Sequence, residues 1–272
     1  MSILSDFHLH SYFSGDCTIP MEEMTDAAIR RGLHSMCFTE HNDFDFPKTA
    51  DMPENPFLLN VDSYLYELTR LRQKYDGRIK MLFGIEIGLQ PCCQEKNALL
   101  AGSWDFDFII GSSHLCNGAD PYYPAFFEGK DPKECCLSYF RETLDNIRSF
   151  SDFDVYGHLD YIARYLPENA APYKSMDYKN ILEEILKALI AKGKGIECNT
   201  SGLRKSLGAV NPAPEIIRLY KELGGEIITV GSDAHAPSDI AAGFDAAAQI
   251  LTDCGFSYYA TFEKRRPVFH KI

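Results

Sequence analysis

Seven short apolar runs, each followed by polar residues and then mostly by helical periodicity, constrain this chain more than any other feature. They are Ser2–Phe7 (SILSDF), Ser35–Thr39 (SMCFT), Lys80–Ile87 (KMLFGIEI), Phe106–Ser112 (FDFIIGS), Phe153–Gly157 (FDVYG), Gly195–Asn199 (GIECN) and Glu226–Gly231 (EIITVG). Several are nearly all apolar, the pattern of parallel strands covered on both faces. Helical signals lie between them. Pro20 is suited to a first helical position, with Glu22 and Glu23 in the first turn and Gly32 beyond the end. Asp62 is placed to cap a helix carrying Leu65, Leu68 and Leu71. Apolar residues recur at helical spacing from Leu137 to Ile147 and from Ile181 to Ile190, and a further helix is expected from Pro214 to Leu223. Alternation of this kind is the mark of an α/β fold. With no second zone of composition, residues 1–272 are expected to form a single barrel-like domain rather than an open sheet with a lid.

Two long inserts interrupt the alternation, Asp43–Pro56 and Cys116–Lys133, the second with PYYPAFF at its centre. Long loops in a compact domain are often functional. Acids outnumber bases 39 to 27, a formal charge of −12, which argues against a broad nucleic-acid surface. An anionic small molecule remains compatible, because clustered cations can make a positive pocket in an acidic protein. No apolar run is long enough to span a membrane and no secretory signal is evident. The nine cysteines form no CxxC pattern, so reduced thiols in a cytoplasmic setting are expected, with no cysteine in a catalytic role.

The polar residues after each run share a theme. His8, His10 and Asp16 follow the first; His41 the second; Glu86 stands near the end of the third; His114, His158 and Asn199 follow the next three; Asp233 and His235 follow the last. Six of the eight histidines thus stand at the C-terminal end of an expected strand, the exceptions being His34 and His270. In a parallel barrel those ends form one rim, where active sites are built. His8 and His10, two apart on a strand, point to the same face. Nine imidazoles and carboxylates exceed the needs of one ion, and fit two or three divalent ions of Zn, Fe or Mn sharing a bridging carboxylate.

The ordered set HLHS, TEH, GIE, SSH, GHLD and GSDAH resembles the polymerase-and-histidinol-phosphatase (PHP) superfamily, over His8 to His235. The resemblance implies a distorted (β/α)7 barrel with three metals. One would be held by His8, His10, Glu86 and Asp233. Glu86 would bridge to a second, held also by His114 and His158. Asp16, His41 and His235 would hold the third; some members have histidine at the position of Asp16. Length and the DYIARY segment after GHLD look most like the histidinol-phosphate phosphatases of histidine biosynthesis. The activity implied is hydrolysis of L-histidinol phosphate to L-histidinol and phosphate. The alternatives are another small phosphate ester such as a nucleotide, or a non-catalytic binding module, although every expected ligand position is filled.

Metal-activated hydroxide attacking phosphorus would give Glu86, Asp233 and His235 catalytic parts, with Asp233 and His235 as alternative proton donors beside purely metal assistance. Arg164 and Arg204, on rim loops with Asn199, are candidates for holding phosphate, since guanidinium makes two-pronged contacts with it. Asp160 is either a partner orienting a metal-bound imidazole or a helix cap. The imidazole and amine of the substrate would be read by the Tyr122–Phe127 loop and an acid of the Asp43–Asp51 loop. A homo-oligomer is compatible with these residues, and neither nucleic acid nor membrane is an expected partner.

Overall fold

In the computed structural model, which describes residues 3–48, 55–205 and 207–272, the seven expected strands are present. Ser2 of the first run, Asp51 and the rest of the middle of the first insert lie outside the described residues. The strands are β1 (Ser5–Leu9), β2 (Ser35–Asn42), β3 (Lys80–Gly88), β4 (Phe108–Ser112), β5 (Val155–Tyr156), β6 (Gly195–Asn199) and β7 (Ile228–Gly231). They form one sheet in chain order, every neighbouring pair parallel. The ring closes past the strand ends: Asp233 N–H donates to His8 O (2.7 Å) and His10 N–H to Ala234 O (2.9 Å). The result is a distorted (β/α)7 barrel.

Helices α1 (Met21–Arg30), α2 (Val61–Lys74), α3 (Gln94–Ser103), α4 (Pro132–Ser149), α5 (Lys179–Ala191), α6 (Pro214–Glu222) and α7 (Phe244–Asp253) complete the alternation. None of the described helices is long and apolar enough to cross a membrane. Two termini differ from expectation. Pro20 is the N-cap of α1 rather than its first residue. The cap of α2 is Asn60, whose side chain accepts from Ser63 N–H, so Asp62 sits inside the first turn, where its charge still favours the helix dipole.

Apolar residues divide by strand face. Met36, Phe38, Ile85, Ile87, Ile196 and Val230 belong to the large core that includes the helices. Phe7, Cys37, Leu82, Phe108, Ile110 and Val155 fill the barrel lumen, closed off by Ala260 and Phe262 of an antiparallel hairpin, β8 (Tyr258–Glu263) and β9 (Arg266–Lys271). Phe7 and His8 are sequence neighbours, yet Phe7 joins the lumen cluster and His8 contacts Glu86 and Glu197 above it. The β1–β2 register shifts between Asp6 and Leu9, and such a bulge turns adjacent side chains to one side. An apolar floor therefore supports a polar rim.

Candidate metal centre

Glu86 is the hub of that rim. Inward alternation along β3 places it above Leu82 and Gly84, fully buried. Its Oε1 lies 2.9 Å from His158 Nε2 and 3.2 Å from His114 Nε2. Its Oε2 lies 3.2 Å from His8 Nε2 and 3.0 Å from His41 Nδ1. Ser112 Oγ donates to Oε1 at 2.6 Å. His10 Nε2 stands 3.7 Å from both Glu86 Oε2 and Asp233 Oδ1. His235 Nε2 and His41 Nε2 lie 3.2 and 3.6 Å from Asp16 Oδ2, nearer the mouth. All nine side chains singled out in the sequence thus converge. His34 and His270 take no part in any of these contacts.

Four overlapping trios bring one donor atom from each member within 4.8 Å of the others: His8, His10 and Asp233; His8, Glu86 and His158; His41, Glu86 and His114; and His10, His41 and His235. The grouping cuts across the partition expected from sequence, because His41 reaches Glu86 as well as Asp16 and because His10 stacks between His41 and His235 at 4.3 Å from each ring.

Electrostatics and hydrogen bonding test whether these residues suit a cation. Burial opposes ionisation of Glu86, yet His8, His114 and His41 hold its carboxyl well below the usual range. Burial likewise opposes charge on Asp233, and His8, Arg164 and His235 prevail over it. Burial and the facing imidazoles His41, His235 and His8 depress His10, leaving it a neutral donor. Burial works against charge on His41 too, but Asp16 and Glu86 raise it to about 9. The carboxylates are therefore anions that require nearby positive charge. His10 Nε2 is buried without a hydrogen bond, and His41 Nδ1 and His235 Nε2 face carboxylate oxygens at 3.0 and 3.2 Å without good hydrogen-bond geometry. Unsatisfied buried nitrogens are rare in native proteins and call for an explanation. Ligand atoms of a tetrahedral ion with bonds of ~2.0–2.2 Å are roughly 3.3–3.6 Å apart, close to the separations found here. The donor set fits divalent metal.

Two carboxylates stand behind the rim: Glu197, which was not singled out in the sequence, and Asp43, expected only within a loop whose acid would read the substrate. Glu197 Oε1 accepts from His8 Nδ1 at 2.6 Å, while Oε2 accepts from His158 N–H (3.0 Å) and Asn199 Nδ2 (3.1 Å). Asp43 Oδ1 lies 2.7 Å from His114 Nδ1. Such partners orient a ligating ring and select its tautomer. Inward alternation on β6 could have exposed Glu197, two residues before Asn199. The space it occupies explains Gly231 of GSDAH, where a Cβ would collide with both His8 Cβ and Glu197 Oε1. Asp233 itself adopts a left-handed backbone, φ 52°, uncommon outside glycine, asparagine and aspartate. Glu197→Gln is expected to lower metal affinity by roughly 10–100-fold. An amide cannot accept from all three donors, so one N–H must face another. Chelator competition on the purified variant checks this, and unchanged affinity would remove Glu197 from the arrangement.

The centre opens into a cavity of about 660 Å³ lined by Asp16, His41, His114, His158, Asp233 and His235, and also by Arg164, Arg204 and Lys205. Arg164 is buried, and donates to Asn211 Oδ1 (2.8 Å), Asp233 Oδ2 (3.1 Å) and Asn199 Oδ1 (3.1 Å). That engages three of the five N–H groups a guanidinium carries. Arg204 donates to Ser232 O at 2.7 Å, and its buried Nη1 makes no hydrogen bond. Asn199 is fully buried and absent from the cavity wall; its amide joins Arg164, Ser201, Glu197 and Asp233. Its contacts hold other residues rather than face the cavity. Asp160 accepts from Asn211 Nδ2 and Ala213 N–H, and so braces the residue behind Arg164 rather than an imidazole. Tyr122, Tyr123 and Asp120 also line the cavity, as does Asp43 beside His114. Burial pushes the Asp120 carboxyl up to about 6.

A family model for the PHP domain matches residues 6–201. The chain belongs to the PHP domain family. It is 34% identical to histidinol-phosphatase of Lactococcus lactis subsp. lactis, over 94% of this chain and 93% of that one. It is 32% identical to a protein of Clostridium acetobutylicum named probable histidinol-phosphatase, over 96% and 97% of the two chains. The crystal structure of histidinol phosphate phosphatase from Lactococcus lactis, complexed with zinc, L-histidinol and phosphate, superposes with a TM-score of 0.89 at 32% identity, covering 97% of this chain and 98% of that one.

Proposed function

We propose that this PHP-family chain hydrolyses L-histidinol phosphate to L-histidinol and inorganic phosphate, with two to three divalent ions at the rim. The observation that carries the reading is the convergence of six imidazoles and three carboxylates at one cavity that also presents guanidinium groups. The full-length similarity to histidinol-phosphatases supports the substrate.

Phosphate monoester hydrolysis needs a rate acceleration of up to ~10²¹. Divalent ions when bound supply a water of lowered pKa and positive charge for the phosphoryl oxygens. Glu86 and Asp233, held ionised, would be the anionic ligands of such ions, and Glu197 and Asp43 orient the imidazoles. Asp233 is kept ionised by His8 and Arg164, so it is a poor proton donor; His235, at the mouth, can deliver a proton only while it holds no ion, and with a third ion bound the leaving oxygen would rely on metal assistance. Arg164, Arg204 and Lys205 bring cationic groups to the phosphate. Asp43, Asp120 and the tyrosine wall suit a ligand carrying an amine and an imidazole. Zinc, iron and manganese all match the donors. The unpaired cysteines fit a reducing, cytoplasmic setting.

Steady-state assay against histidinol phosphate, sugar phosphates and nucleotides tests the proposal. The expected outcome is a kcat/KM for histidinol phosphate at least ~100-fold above the others, about 2.7 kcal/mol of discrimination. A stronger preference for a nucleotide would overturn the substrate and keep the metal centre. In the same assay Arg164→Ala should raise KM and lower kcat together, because it removes a cavity cation and releases Asp233.

A further inference from the structure

Outside the rim, a carboxylate and two thiols meet between the segment after β2 and the start of α3. Cys92 and Cys93 lie in the 3₁₀ turn Pro91–Cys93 that leads into α3. Their sulfurs are 3.6 Å apart, and Cys93 Sγ is 3.5 Å from Asp45 Oδ2. One donor atom from each of the three residues lies within 4.8 Å of the others. A tetrahedral zinc ion with Zn–S of ~2.3 Å and Zn–O of ~2.0 Å separates two sulfurs by about 3.7 Å and sulfur from oxygen by about 3.5 Å. The donors therefore stand close to coordinating positions.

Access and charge agree with the distances. Cys92 is exposed, and is the one exposed thiol of the nine, so an ion and a completing water can enter from solvent. Cys93 is buried behind it, its sulfur also directed at Phe44 O, 3.6 Å away. Lys96 Nζ is 2.7 Å from both oxygens of Asp45. Two thiolates and one carboxylate carry three negative charges; a divalent ion and Lys96 carry three positive ones. The site would close neutral, with Lys96 keeping one oxygen while the ion takes the other. Thiolates favour zinc and softer ions over manganese or magnesium.

We propose that Asp45, Cys92 and Cys93 form a second metal site, for a thiophilic divalent cation of the zinc class, separate from the histidine–carboxylate centre. Binding forms two metal–sulfur bonds and one metal–oxygen bond and releases two thiol protons to solvent, with no change of oxidation state. The ion would tie the segment carrying Asp43, which holds His114, and Phe46, which lines the cavity, to the start of α3.

Cobalt(II) titration of the phosphine-reduced, full-length chain tests this. Cobalt bound by thiolate gives a near-ultraviolet charge-transfer band that imidazole and carboxylate ligands do not. The trios at the rim contain no cysteine. The wild-type chain should show the band and bind one cobalt more than Cys92→Ser, whose exposed position makes the substitution safe for folding. That variant should lose the band and keep phosphatase turnover. Asp45→Asn should retain the band at higher cobalt concentration, and zinc should displace the cobalt. A wild-type chain that shows no band at saturating cobalt, or a band undiminished in Cys92→Ser, overturns the proposal while leaving the phosphatase reading intact.

Discussion

Replacing Glu86 with glutamine is expected to cut kcat by ~10³-fold or more, about 4 kcal/mol of lost transition-state stabilisation, and to strip most of the bound metal. Four imidazoles lie within 3.2 Å of this one carboxylate, a density found at no other acid of the rim. The amide is neutral, so it cannot balance the charge that two neighbouring ions bring. Its NH₂ would also face an imidazole nitrogen that needs an electron pair. Buried groups in such networks are costly to leave unpaired, so the side chain should rotate and widen the centre. The apolar floor beneath is untouched, and backbone circular dichroism should match wild type. Metal content by elemental analysis, read beside kcat, decides the matter. A variant with full metal content and wild-type turnover would show that the ions do not depend on the hub.

Removing metal from the wild-type chain should have the second-largest effect. Exhaustive chelation is expected to bring turnover to background, with recovery on adding back zinc, manganese or iron. It should also lower Tm by on the order of 10 °C. At an ion concentration ~1,000-fold above Kd, binding to the folded state alone contributes about 4 kcal/mol, and a chain of this size shifts by roughly 2–4 °C per kcal/mol. The chain has a partial substitute: His8, His41 and His114 take up protons beside Glu86, each raised above its ordinary value against the effect of burial. The metal-free protein should therefore remain folded. Calorimetry with and without chelator measures the shift. Retained activity after metal content falls well below one ion per chain would sink the mechanism.

Most of this centre was legible in the sequence because its logic is one-dimensional. Each ligand sits at the end of an apolar run, and a parallel barrel gathers all such ends. The strand cores were legible for the same reason, although β5 shrinks to two residues and β2 runs on through His41. What escaped depends on contacts between distant segments. Glu197 reads as an unremarkable acid until the barrel brings it against His8, 189 positions away. Asn199 and Arg164 both follow strands, and only their shared bonds with Asp233 show that one braces the other. Helix α3 has an even scatter of polar residues, with only Asn97 and Ala101 buried, so it lacks the stripe that reveals a helix. The hairpin β8–β9 follows the last repeat and breaks the pattern by plugging the lumen.

The hydrogen bonds joining β1 to the segment after β7 run from Asp233 N–H to His8 O and from His10 N–H to Ala234 O. The seam of the ring is thus stitched by the backbone of His8, His10 and Asp233, whose side chains form the centre, and of Ala234 between Asp233 and His235. A breath that parts first strand from last would pull one pair of donors away from the other before the rest of the architecture noticed. Catalysis in this molecule is consequently hostage to its own closure, and bound cations would act as a clasp across the joint.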